Sequence, residues 1–214
     1  MAKLATLIIG ANSDIAKAIA LQIAITESSP LIIVSRDIHF YRQAVFNQAT
    51  IIKVASYHEK DISEVVDQIK LIEKNNISRV FICHGVLHSK KYQPEKRLED
   101  FSTESFLQVI NANTITPMLW LKHLTTLLTS KNHCKIVIFT ARVGSISDNK
   151  LGGWYSYRAS KAAMNMLIKS ASVELARRAK NIKLISFHPG TTDTPLSKPF
   201  QANVPKGKLF TCEF

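Results

Sequence analysis

The chain has 214 residues, 46% of them hydrophobic and 21% charged, a balance that excludes a disordered chain and suits a single domain over residues 1–214 built on one sizeable core. Its formal net charge of +12 raises the question of nucleic acid. The basic residues, however, come in scattered pairs (Lys90-Lys91, Lys96-Arg97, Arg177-Arg178) without interleaved aromatics, which reads as a solvated basic surface and not as a nucleic-acid face.

Along the chain the hydrophobic period alternates. Leu4 to Ile9 is a continuous apolar run ending in Gly10, the pattern of a buried parallel strand. Ile15 to Leu21 follows at helical spacing, and Leu31 to Val34 after Pro30 predicts a second strand. Ile51 to Val54 predicts a third strand, Ser63 to Lys74 a helix, and Arg79 to Cys83 a fourth strand ending near Gly85. A long helical stretch covers Thr103 to Thr129, Lys135 to Phe139 is the fifth strand, Ser156 to Lys180 the next helix, and Lys183 to Phe187 the sixth strand. Strands alternating with crossovers predict an α/β doubly wound parallel sheet, with ligands beyond the carboxyl ends of the strands. The segment after Pro189, with Pro195, Pro199, Pro205 and Gly207, reads as loop.

No apolar stretch reaches membrane-spanning length, and the start Met1-Ala2-Lys3 lacks a signal-peptide pattern. Cys83, Cys134 and Cys212 are odd in number and irregularly spaced, which suits a reducing compartment without a disulfide framework or a metal site. The expectation is a cytoplasmic protein with no membrane association.

Two segments carry chemistry. The turn Gly10-Ala11-Asn12-Ser13-Asp14-Ile15-Ala16 joins the first strand to the first helix. It can bring backbone amides to a pyrophosphate at a helix N-terminus, or it can be an ordinary turn capped by Asn12 or Ser13. In Tyr157-Arg158-Ala159-Ser160-Lys161 a phenol and an ammonium lie four apart on one helix face. A surface pair is the plain reading. A proton-transfer site is the other, since a nearby cation favours the phenolate.

These motifs, in this order, resemble the short-chain dehydrogenase/reductase family. They are joined by Asn111 in the long helix and by Pro189-Gly190-Thr191-Thr192-Asp193-Thr194 after the sixth strand. The run Ala141 to Ile146 followed by Gly152 to Lys161 is similar to the bacterial C-factor-like branch. The resemblance implies a Rossmann-like oxidoreductase moving hydride between NADP(H) and a small-molecule carbonyl or alcohol. Tyr157 would carry the proton, Lys161 would hold the nicotinamide ribose and lower the Tyr157 pKa, and Asn111 would feed a water relay. Gly10, Asn12, Ser13, Asp14, Ile15, Arg36, His84, Gly85, Pro189, Gly190, Thr192 and Thr194 would line the cofactor.

The chain departs from the family pattern at several points. Asp14 and Ala16 replace glycines, Ala55-Ser56 lacks an acid after the third strand, and the catalytic-serine position falls on Ala141. Ser145 is then the first candidate to polarise the carbonyl and Thr140 the second. Ser35-Arg36 after the second strand favours NADP, with NAD kept open by Asp37. The end at Phe214 suggests a shortened C-terminus. Apolar positions on the helices around 103–129 and 156–180 suggest a homodimer or homotetramer. The alternative reading is a non-catalytic member of the same fold, acting in signalling or binding.

Overall fold

Six strands, Ala5–Ile9 (β1), Leu31–Ser35 (β2), Thr50–Lys53 (β3), Ile77–Ile82 (β4), Cys134–Phe139 (β5) and Ile182–Phe187 (β6), form one sheet in the order β3-β2-β1-β4-β5-β6. The computed structural model describes residues 3–73 and 76–212 and no side chain at Asn203. The expected helix end at Lys74 and the terminal residues Met1, Ala2, Glu213 and Phe214 lie outside the described residues. Every neighbouring pair in the sheet is parallel, so the chain must cross over after each strand. Helices Asp14–Thr26 (α1), Glu59–Ile72 (α2), Thr103–Ile110 (α3), Thr116–Leu128 (α4) and Tyr155–Arg178 (α5) make most of these crossings. Between β2 and β3 two short 3-10 turns, His39–Arg42 and Ala44–Phe46, suffice.

The chain runs outward from β1 to β3, then returns to β4 on the other side of β1. That reversal opens a crevice at the carboxyl ends of β1 and β4. Successive side chains of a strand face opposite ways, so each inner strand feeds two cores. On one face Leu7, Val80 and Ile136 meet Trp120, Leu124 and Met164 from α4 and α5. On the other, Ile8 and Ile33 meet Ala16 and Ala20 of α1 together with Tyr41 and Phe46.

Three elements differ from expectation. Helix α2 starts a turn early, where Glu59 and Asp61 sit in its first turn and suit its positive end. β6 is not buried along its length. It is an edge strand in which only Ile182 is buried, while Ile185 is 38% exposed and Phe187 44%. The helix expected from 103 to 129 is interrupted by a π-type turn over Asn111–Ile115, and Pro117 lies in the first turn of α4. Proline has no N–H to donate and crowds the carbonyl four residues back, here Asn113, so the ladder loosens at that point. Past β6 a two-residue strand, Thr191–Thr192 (β7), pairs with Leu209–Phe210 (β8). Among the described residues no helix is long and apolar enough to cross a membrane.

The turn after β1 is anchored from both sides. The Ala11 N–H donates to the Val34 carbonyl, and the Tyr41 hydroxyl, on a ring only 1% exposed, donates to the Ala11 carbonyl. Tyr41→Phe leaves that carbonyl short of a donor. We expect urea unfolding to give a loss of about 1–2 kcal/mol; an unchanged midpoint would mean that the Val34 bond alone fixes the turn.

Candidate active site

The crevice begins at Gly10, whose φ of +71° lies in the left-handed region that glycine adopts freely. A Cβ there would come within 3.2 Å of the His84 imidazole and the Cys83 backbone. Beyond it Ser13 caps α1, its hydroxyl accepting from the Ala16 N–H at 3.2 Å, so Ser13 and not the exposed Asn12 supplies the cap. The Asp14 carboxylate pairs with Lys17 at 3.4 Å, which offsets the negative charge that the sequence places beside this anion-binding end of the helix.

Helix α5 carries Tyr157 and Lys161 on its buried face, 8% and 3% exposed. Burial pushes the Tyr157 phenol up to about 12 and pulls the Lys161 ammonium down to about 8. Burial is the one cause of the rise at Tyr157, and the lowering by Lys161 that the resemblance implies does not accompany it. The ammonium lies 5.8 Å from the Tyr157 ring centroid and donates to the Phe139 carbonyl at 3.1 Å. A Cβ on Gly85 would sit 3.6 Å from that nitrogen, so the β4 loop and Lys161 share one small space.

The asparagine that reaches this place is Asn113, not Asn111. Asn111 is exposed and Asn113 buried: two residues apart on a helix they face opposite ways, and Asn113 shares the buried stripe of Val109, Thr116 and Trp120. The Asn113 Oδ1 accepts from the Val86 N–H at 2.7 Å. Its Nδ2 donates to the Val86 carbonyl at 2.9 Å and to the Ser160 hydroxyl at 3.0 Å. Ser160 passes its own hydrogen to the Tyr157 carbonyl at 2.7 Å. One amide thus joins the β4 loop to the helix of Tyr157 and Lys161. Its signal in the sequence was the spacing to Pro117.

The expected stand-ins for serine do not gather here. The Thr140 hydroxyl is turned to β6, 3.0 Å from the Ser186 hydroxyl. The Ser145 hydroxyl has partners within its own loop, Ser147 and the Asp148 N–H, both at 3.4 Å. The residue between them that touches α5 is Gly144, where a Cβ would come 2.8 Å from the Lys161 backbone. Ala141 offers no hydroxyl.

Two further segments flank α5. Glu95, 4% exposed, accepts from the Ser156 N–H at 3.2 Å and from the Ser156 hydroxyl, while its carbonyl accepts from the Trp154 N–H. It serves as a remote cap for a helix whose first residue follows the left-handed Trp154, φ 53°. On the other side Phe200 packs on Trp154 at 5.0 Å and on His88 at 5.6 Å between ring centroids. Pro189 and Gly190 lead into this segment. Gly190 has φ +78°, and a Cβ there would strike the Phe210 ring at 2.6 Å. The Thr194 hydroxyl turns back to the Thr192 carbonyl at 3.4 Å.

Residues 4–205 match the family model described as short chain dehydrogenase. The chain belongs to the short-chain dehydrogenase family. It is 26% identical over 201 residues to benzil reductase ((S)-benzoin forming) of Bacillus cereus, a match covering 88% of this chain and 75% of that protein. It is 38% identical over 65 residues to C-signal of Myxococcus xanthus, covering 30% of this chain and 38% of that one, in keeping with the C-factor-like resemblance. Among solved structures, NADPH-bound carbonyl reductase from chicken fatty liver superposes with a TM-score of 0.79 at 18% identity, covering 100% and 88% of the two chains. At that identity the likeness is one of fold. As a short-chain dehydrogenase the protein is an oxidoreductase of a family that uses nicotinamide cofactors.

The residues present fit such a cofactor. Gly10 and the N-terminus of α1 would offer backbone N–H groups to its phosphates. The buried His84 Nε2 and Thr192 Oγ1 find no partner among the described residues, and buried polar atoms are usually paired. His84 is held neutral, its pKa pulled down to about 3 first by burial, then by the charges of Arg36 and Lys161. It lines the crevice and is too weak a base for proton abstraction.

Two outcomes follow for this short-chain dehydrogenase. Because Lys161 titrates near 8 when folded against an ordinary 10.5, the folded state bears the full desolvation cost below pH 8. That cost fades as pH climbs toward 10.5, where the unfolded lysine also loses its proton. Lys161→Met should raise stability at pH 7 by about 2 kcal/mol, after allowing for the lost bond to Phe139, and by progressively less above pH 8. Thermal melts from pH 6 to 10 check this, and destabilisation at pH 7 would contradict it. Ser145→Ala should keep carbonyl reduction within about threefold of the original, whereas loss of an oxyanion donor costs about 100-fold or more. Steady-state kinetics decides between them.

Proposed function

We propose that this short-chain dehydrogenase is an NADP(H)-dependent carbonyl reductase or alcohol dehydrogenase in which Tyr157 is the proton carrier. The observation that carries the reading is the buried placement of Tyr157 and Lys161 on one face of α5, joined through Ser160 and Asn113 to the β4 loop.

When bound, the nicotinamide supplies the hydride for reduction or takes it up in oxidation. Gly10, Ser13 and the first N–H groups of α1 would hold the pyrophosphate, and Arg36 would meet the 2′-phosphate. Lys161, His84 and Gly85 would face the ribose, with Pro189, Gly190, Thr192 and Thr194 around the carboxamide. In reduction the O–H bond of Tyr157 would break and its proton pass to the substrate oxygen as the carbonyl carbon takes up hydride. A phenol kept protonated up to about pH 12 has that proton ready at neutral pH. Lys161 then stabilises the phenolate that forms, a role that grows as charge develops. Pro117 has no N–H to give the Asn113 carbonyl, and this loosened turn is where water would bring the replacement proton. With Ala141 in place of a hydroxyl donor, Tyr157 both orients and protonates the carbonyl oxygen.

The recess beside Tyr157 is mixed in character: Leu87, Tyr92, Pro94 and Val109 line it together with Gln93, Glu95, Ser105 and Ser156, and Trp154 lies 6.2 Å from the Tyr157 ring. The recorded reduction of benzil by the Bacillus cereus relative is of the proposed chemistry, and NADPH in the chicken enzyme supports the cofactor choice. Tyr157→Phe keeps the ring and loses the hydroxyl. Reduction of an aryl ketone, followed by NADPH absorbance, should fall by about 100- to 10,000-fold, with NADPH affinity within twofold. Retained turnover would remove Tyr157 from the mechanism.

A further inference from the structure

An arginine at the end of the second strand can discriminate a 2′-phosphate only if its guanidinium is held where the phosphate arrives. Arg36 is exposed, and a free arginine has several rotatable bonds to immobilise on binding. What lies behind it comes from the segment after β3, where the sequence has Tyr57 two residues beyond Ala55. The Arg36 guanidinium carbon lies 4.5 Å from the centroid of the Tyr57 ring. Tyr57 is not loose either: it stands edge-on to His84, with centroids 4.4 Å apart and planes at 85°. His84 fills the space above Gly10 that a Cβ would contest. The carboxyl ends of β1, β4, β3 and β2 are thus joined by one stack, Gly10–His84–Tyr57–Arg36.

Two observations make this a built site and not a chance contact. His84 is 8% exposed and its Nε2 has no partner among the described residues, so the base of the stack keeps a polar atom free in the crevice. Asp37, the acid nearest to where an NAD enzyme would bind the ribose, is engaged elsewhere: its Oδ1 accepts from the His39 N–H at 2.9 Å. With the acid turned into the following 3-10 turn, Arg36 faces the ribose end without a carboxylate to neutralise it. Tyr57 holds the guanidinium from one side, through its ring and its hydroxyl, and the remaining N–H groups of Arg36 would meet a phosphate.

We infer that Tyr57, braced by His84, is a specificity-determining positioning residue that presents Arg36 to the 2′-phosphate of NADP(H). The inference rests on the NADP(H) reading above and assigns to Tyr57 a share of the preference that the sequence attributed to Arg36 alone. The test is direct binding of NADPH and NADH, read by quenching of Trp154 and Trp120, in the original protein and in Arg36→Ala, Tyr57→Leu and Tyr57→Phe. Arg36→Ala should abolish the preference for NADPH. Tyr57→Leu should weaken NADPH by about tenfold, the scale of a partly desolvated cation–π contact, and leave NADH within twofold. Tyr57→Phe, which restores the ring, should return NADPH to within threefold of the original. If Arg36→Ala abolishes the preference and Tyr57→Leu leaves it intact, the inference falls and the NADP(H) reading stands. If Tyr57→Leu weakens both cofactors equally, Tyr57 is scaffold alone and the inference also falls. If Arg36→Ala changes nothing, the NADP(H) reading itself is overturned.

Discussion

The carboxamide of Asn113 satisfies both backbone groups of Val86 and still reaches the Ser160 hydroxyl. Three bonds from one buried side chain join the loop after β4 to the helix that carries Tyr157 and Lys161. Removing any partner would strand buried polar groups at a cost of about 1–3 kcal/mol each. The spacing between Gly85 and Lys161 depends on this amide, and so does the orientation of the first turns of α5. The amide is carried by the π-type turn Asn111–Ile115 that joins α3 to α4, and Pro117 just beyond it loosens the ladder there.

Around that joint the electrostatics are set by burial. Lys161 has a backbone carbonyl as its partner and lies almost out of water, so its charge is tolerated at a cost to the fold. Nearby, Tyr157 is kept neutral for the same reason. A buried ammonium of this kind is poorly solvated, and any negative charge placed beside it is attracted more strongly than it would be in water. The basic surface elsewhere on the chain plays no such part, being solvated and screened.

Much of this was legible in the sequence. Parallel strands buried on both faces read as unbroken apolar runs, and all six were found within two residues of their bounds. The Tyr-x-x-x-Lys spacing placed both side chains on one face without further information. The resemblance points to an asparagine in the long helix and its reading rests on Asn111; burial selects Asn113, two residues on and on the opposite face. Ser145 was proposed from proximity in sequence, which does not report that its hydroxyl turns into its own loop. Tyr57 and Glu95 act across long sequence separations, so no local pattern marks them. β6 has the composition of an inner strand, and its exposure is a fact of tertiary placement.

The left-handed Trp154 and the buried Glu95 fasten the segment before residue 100 to the start of α5 by hydrogen bonds, so that side of the cleft is one stiff wall. The opposite side, from Gly190 to Gly207, meets it through the Phe200 ring against Trp154 and His88 and a 3.2 Å approach of the His88 Nε2 to the Pro195 carbonyl. Both of its bounding glycines hold positive φ, where the backbone turns without a side chain to resist. Where the two walls meet, ring against ring does the holding, an attraction that ionic strength leaves almost untouched.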